Sequence, residues 1–255
     1  MLFRLGPDTL VRLPRRALGA EFIVHEQRFL PRLAPQLPCA VPAALRVGRA
    51  GCGYPWPWSI VPFLKGERVG STALPPGQAQ ALADFLLALH VLAPPDAPSN
   101  MHRGVPLRHR AVDIGRRIGA LQTAGLLPQP ALQAWQAGLS APEAHPRTWI
   151  HGDLHGGNVL VSSGRISAVI DWGDIAAGDA ATDLAAFWLL IDDDEDRQAG
   201  LSCYFAQRPS PGLCARACAW AVLFGTVLLH SGLNASPEQA AMGRAILNRV
   251  ARSAT

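Results

Sequence analysis

At 255 residues, with 49% hydrophobic and 16% charged side chains, the chain is composed like a folded globular protein and is long enough for one large domain or two lobes; disorder is excluded. The net charge of +4 comes from arginines scattered along the chain, with no dense basic run interleaved with aromatics, so a nucleic-acid surface is not indicated. The five cysteines include no Cys-x-x-Cys pair, no signal segment is visible, and the longest apolar run (Ala219 to Leu229) is shorter than the roughly 20 residues that span a bilayer, so a cytoplasmic protein with reduced thiols is expected.

Leu2 to Leu5 and Thr9 to Leu13 flank Gly6-Pro7-Asp8 and predict a hairpin that stops at Pro14. Residues 17–33 carry Phe22, Ile23, Phe29, Leu30 and Leu33 at helical spacing. Prolines at 35, 38 and 42 break the chain, and Leu45 to Val47 and Trp58 to Val61 read as strands. Pro62 to Glu67 reads as a hinge. Beyond it the pattern is helical over 77–92, 107–124 and 130–139. Thr148 to Ile150 is a short strand, and 159–161 and 166–170 form a second hairpin. Helices are expected over 182–191, 196–206, 211–231 and 237–252. Strands come first and helices after, so the class is α+β, with a small antiparallel β lobe (1–64) and a mostly helical large lobe (65–255). Cys214 and Cys218, at i and i+4 on one helix face, are expected to be small core residues.

The chemistry is concentrated in His151-Gly152-Asp153-Leu154-His155-Gly156-Gly157-Asn158 and in Asp171-Trp172-Gly173-Asp174. A kinase catalytic loop places Asp-Leu, three residues and then Asn, with a metal-binding Asp shortly downstream. Here Asp153, Asn158 and Asp171 keep that spacing, although Gly152 stands where protein kinases have Arg and Asp-Trp-Gly replaces Asp-Phe-Gly. Asp153 is the expected catalytic base, and Asn158 and Asp171 supply the oxygen donors that suit Mg²⁺. A metal role for His151 and His155 would need downstream motifs that this sequence lacks.

The segments HGDLHGGNVLV and IDWGDIAAGDAATDLA resemble the aminoglycoside phosphotransferase family of the kinase-like superfamily, and VRLPRRALGAEFIVHEQRFLPRL and LADFLLALH extend the resemblance over nearly the whole chain. The resemblance implies a protein-kinase-like two-lobed fold and an ATP- and Mg²⁺-dependent O-phosphotransferase acting on a small hydroxylated molecule, aminoglycosides being the substrate class named; GTP is the other nucleotide open. It implies that Arg12 contacts the nucleotide phosphates with Glu26 as its ion-pair partner. It further implies that Pro62 and Leu64 hold the base at the hinge, and that Asp179 and Asp183 brace the catalytic loop. Asp174, Asp192 and Asp193 are acidic candidates for attracting a cationic substrate.

Only eleven residues precede Arg12, and they fill one hairpin, whereas kinase-like small lobes have an earlier strand and a Gly-rich loop over the phosphates. The expectation is an N-terminally truncated member whose fold survives and whose turnover is low. The alternative reading is a catalytically silent protein that binds a nucleotide or metabolite.

Overall fold

The computed structural model describes residues 1–70, 72–143 and 147–253. Strands β1 (Leu2–Leu5), β2 (Thr9–Arg12), β3 (Arg46–Gly48) and β4 (Trp58–Pro62) form one antiparallel sheet in the order β1-β2-β4-β3. Register pairs Arg12 with Ser59 and Thr9 with Pro62, so the arginine lies at the end of a strand held on both sides. Helix α1 (Ala17–Leu33) packs on this sheet because Ala20, Ile23, Glu26, Phe29, Leu30 and Leu33 recur at helical spacing and are all buried. Gln27 fastens the helix by donating to the Trp58 carbonyl at 2.9 Å and the Ser59 hydroxyl at 3.0 Å.

The remainder is mostly helical, as expected of the α+β class. Helices α2 (Ala79–Leu89), α3 (Ala111–Thr123), α4 (Gln129–Ser140), α5 (Ala181–Leu184), α6 (Ala186–Leu190), α7 (Asp194–Gln207), α8 (Leu213–Ala235) and α9 (Pro237–Ser253) surround a core containing Leu82, Phe85, Leu86, Phe187, Trp220 and Leu247. Glycine lets α8 and α9 approach closely: a Cβ on Gly243 would sit 2.3 Å from the Leu229 nitrogen. By length and composition α8 could cross a membrane, unlike the short run expected from sequence, yet 67% of its apolar window is buried inside the fold.

Four points depart from the sequence reading. A two-residue strand, β5 (Glu67–Arg68), follows the expected hinge and pairs with β7 (Val159–Ser162), which in turn pairs with β8 (Arg165–Val169). Strand β9 (Ala176–Gly178) pairs with β6 (Thr148–Ile150), in a stretch for which the sequence predicted no element. The helix expected over 182–191 is two short helices meeting at Ala185. Of the α8 cysteines, Cys218 is half-buried and packs against the core as expected, whereas Cys214 is exposed, because that face of α8 opens onto a cavity.

Candidate active site

Strand β6 delivers the chain into the loop 151–158, and β7 carries it away. The loop turns at Gly152, whose φ of +85° is the left-handed conformation open to glycine; a Cβ there would lie 2.8 Å from the Asp174 carbonyl oxygen. This crowding explains why the residue beside Asp153 is not a larger one. Asp183, at 1% exposure, fixes the loop's entry by accepting the backbone N–H groups of His151 at 2.6 Å and Gly152 at 2.8 Å. Asp179 does a different job, capping the start of α5 through the Ala181 N–H and pairing with buried Arg216 at 2.7 Å.

Both loop histidines have defined tautomers. His151 Nδ1 accepts the Asp153 N–H at 3.2 Å, so its Nε2 donates to the Ile170 carbonyl at 3.0 Å. His155 Nδ1 accepts the Gly157 N–H at 3.0 Å, so its Nε2–H faces Asp153 Oδ2 at 3.3 Å. Each ring is thereby committed to holding the loop.

Asp153 is gripped from three sides. Arg103 donates to Oδ1 at 3.1 Å, while His155 and Asn158 Nδ2 both approach Oδ2 at 3.3 Å. Burial by itself pushes this carboxyl up, but the hydrogen bond from His155 and the favourable electrostatics of His155, Arg103 and His151 prevail and bring it down to about 2. Asp153 is therefore a held anion at neutral pH, suited to orienting a hydroxyl and weak as a free base. Nothing in the spacing of the sequence pointed to Arg103; it lies in an irregular loop and meets Asp153 only in space.

Asn158 Nδ2 also donates to the Asp153 carbonyl at 2.9 Å, which leaves Oδ1 as the side chain's oxygen donor. Asp171 follows β8 in a left-handed conformation, φ 60° and ψ 68°, with its side chain 61% exposed. The next residue, Trp172, is fully buried and stacks edge-on to His151 with ring centroids 4.8 Å apart, anchoring the segment.

Arg12 links two carboxylates, donating to Glu26 at 2.7 Å and to Asp171 at 3.1 Å. Burial pushes the Glu26 carboxyl up to about 7 against the pull of Arg12, with Asp171 adding to the push. Its Oε1 is buried and has no hydrogen-bond partner, so that oxygen is where a proton would sit.

Arg12, Pro62, Leu64, Asn158 and Asp171 all line one cavity of about 580 Å³, roofed by β2 and walled by Leu10, Val61 and Phe63. The Phe63 N–H is occupied by the Asp8 carbonyl at 2.8 Å, so the hinge segment is tied to the first hairpin. Glu26 reaches this cavity only through Arg12. Asp153 stands between it and a second cavity of about 270 Å³, touching Asn158 of the first and Arg103 of the second. The Asn158 amide oxygen and the Asp171 carboxylate are hard donors on one wall, a set that fits Mg²⁺. Among the described residues no three His, Cys, Asp or Glu side chains gather into a metal cage, so an ion here would lean on phosphate oxygens and water for its remaining ligands.

The other acidic candidates sit differently. Asp174 is partnered by Asn100 at 2.6 Å. Asp192 pairs with Arg249 at 2.9 Å, and Asp193 caps α7 by accepting the Asp196 N–H at 2.7 Å. The structure places Asp192 and Asp193 on the wall of a separate cavity, away from Asp153, where the arginines of α9 neutralise the acidic run.

Residues 3–211 match the family described as "Phosphotransferase enzyme family", and the chain belongs to that family. No curated protein matches it in sequence. Among solved structures it is similar to the GDP complex of aminoglycoside 2'-phosphotransferase-IIIa at 19% identity and a TM-score of 0.65, over 98% of this chain and 88% of that one. It is similar as well to the GDP and kanamycin complex of APH(2")-IIIa at 19% identity and a TM-score of 0.64, over 98% and 92% of the two chains. The macrolide 2'-phosphotransferase MphH from Brachybacterium faecium aligns at 24% identity with a TM-score of 0.56, over 95% and 84%. At such identities these likenesses establish a shared fold.

Proposed function

We propose that the protein transfers the γ-phosphoryl group of ATP or GTP, with Mg²⁺, to a hydroxyl of a small molecule. The observation that carries this reading is the convergence of Arg12, Asn158 and Asp171 on one cavity with Asp153 at its inner margin. The nucleotide would lie between β2 and the 62–64 segment, its phosphates toward Arg12. Bound Mg²⁺ would neutralise charge on the phosphates, with Asn158 and Asp171 as the side chains that hold it.

The acceptor hydroxyl oxygen bonds to the γ-phosphorus as the bond to the bridging oxygen breaks, and the nucleoside diphosphate leaves. The hydroxyl proton passes to Asp153 and then to product or water. A carboxyl at about 2 accepts that proton only once the new bond is well advanced, which suits a loose transition state in which positioning outweighs basicity. Arg103, His155 and Asn158 hold the carboxylate in place for this step.

The test is Mg²⁺-nucleotide binding by calorimetry followed by single-turnover transfer to a panel of alcohols. Binding and transfer are expected, and Asp153→Ala should abolish transfer while retaining binding. Binding without transfer to any acceptor would favour a silent binding protein instead.

A further inference from the structure

The cavity of about 270 Å³ on the far side of Asp153 is where an acceptor would enter, and its chemistry restricts what fits. Its charged lining consists of four arginines (Arg103, Arg108, Arg147 and Arg216) and two carboxylates (Glu143 and Asp179). Both carboxylates are already spent, Glu143 on Arg108 and Asp179 on Arg216. Arg147 donates only to the Ala177 carbonyl and has no carboxylate partner among the described residues. Arg103 faces Asp153 with one Nη, lies over the Phe224 ring at 5.0 Å, and leaves its buried Nε without a partner.

The surroundings strengthen the positive field. Arg110 is held below its usual range first by burial and then by the charges of Arg103 and Arg117, with Asp113 opposing. Asp174, at the inner edge, is bound by Asn100, a lining residue of the cavity. A polyamine entering here would meet Arg147 without a carboxylate partner, and would find carboxylate charge only at Asp153, which Arg103 already holds, and at Asp174, whose partner Asn100 is neutral. The volume lies just under the roughly 300 to 1,000 Å³ of pockets that enclose drug-sized ligands.

Resting on the phosphotransferase reading above, we propose that the acceptor is a small hydroxylated anion, carrying a carboxylate or phosphate group that Arg147 and Arg103 bind while its hydroxyl meets Asp153. Arginine's planar fork matches either oxyanion, and its charge rejects cationic acceptors. The acceptor cavity is thus selective by sign as well as by size.

The experiment measures phosphoryl transfer from Mg²⁺-ATP and Mg²⁺-GTP to hydroxy acids (glycerate, gluconate), sugar phosphates (glucose 6-phosphate), neutral polyols (glycerol, glucose) and kanamycin. At least one anionic acceptor should exceed kanamycin and the polyols in kcat/KM by about tenfold or more; the two anionic arms distinguish carboxylate from phosphate. In the wild-type protein the KM of that acceptor should rise with salt while the KM of a polyol does not. Arg147→Gln and Arg108→Ala should each raise the ratio of anionic to neutral KM several-fold. Preference for kanamycin or a polyol overturns the proposal and leaves the phosphotransferase reading standing, as does silence toward every anion in a protein that transfers to another acceptor. Failure to bind nucleotide or to transfer to anything overturns both.

Discussion

The Asp183 carboxyl group lies 2.6 Å from the backbone nitrogen of His151, a buried acceptor clasping the first residue of the loop 151–158. Its second oxygen takes the Gly152 N–H, so one side chain sets the course of the chain toward Asp153. Asp183→Ala would strand both N–H groups, at about 1–3 kcal/mol each, and a drop in stability of roughly 2–5 kcal/mol is expected in denaturant titration. A change under about 1 kcal/mol would mean that the loop does not depend on this brace.

The position of Asp153 predicts a pH profile. Its carboxyl, at about 2, is below the ordinary 3.8, so it stays ionised through the neutral and mildly acid range. The stability it lends is present above 3.8 and is lost only as pH falls toward 2. Turnover should show no acid limb from this residue between pH 5 and 8. Asp153→Asn should lower kcat by about 10²- to 10⁴-fold with little change in nucleotide Kd. A limb in that range that vanishes in the variant would contradict the assignment.

Glu26 carries the opposite sign. Its folded value of about 7 lies above the ordinary 4.5, so the folded protein binds the extra proton between those values. The associated stability is full below 4.5 and is lost as pH rises through 7. Glu26→Gln should therefore gain thermal stability relative to wild type at pH 8 but not at pH 4.5, while weakening nucleotide binding by loosening Arg12. Equal melting shifts at both pH values would show that Glu26 does not titrate in this way.

Gly156 meets the segment after β5 backbone to backbone. It accepts the Gly70 N–H at 2.9 Å, and a Cβ on it would fall 2.1 Å from the Gly70 carbonyl oxygen. Gly156→Ala should force the loop off this contact, lowering both stability and kcat; a variant with wild-type turnover would show that the contact is dispensable.

The loop 151–158, which carries the proposed roles of Asp153 and Asn158, was legible in the sequence because short β-prone runs flank its glycines and become the strands on either side. The pairing of Arg12 with Glu26 was likewise readable from the resemblance. Arg103 was not, because an irregular loop has no periodicity to say where its side chains go. Strands β5 and β9 were missed because two residues, or Ala-Ala-Gly, carry no alternation or β-branching. The acidic run misled for a third reason: charge density does not reveal whether the counter-charge is a ligand or, as here, arginines some sixty residues later on α9.

The left-handed backbone of Asp171 has a consequence for how this protein would evolve under selection. An L-residue at φ 60°, ψ 68° gives up on the order of 1 kcal/mol, which glycine avoids and asparagine largely avoids. Variants sieved for heat resistance alone should drift toward glycine or asparagine at 171, melting higher while erasing the carboxylate that reaches the cleft. Endurance and chemistry pull against each other at that one position, and only selection on turnover would keep the aspartate there.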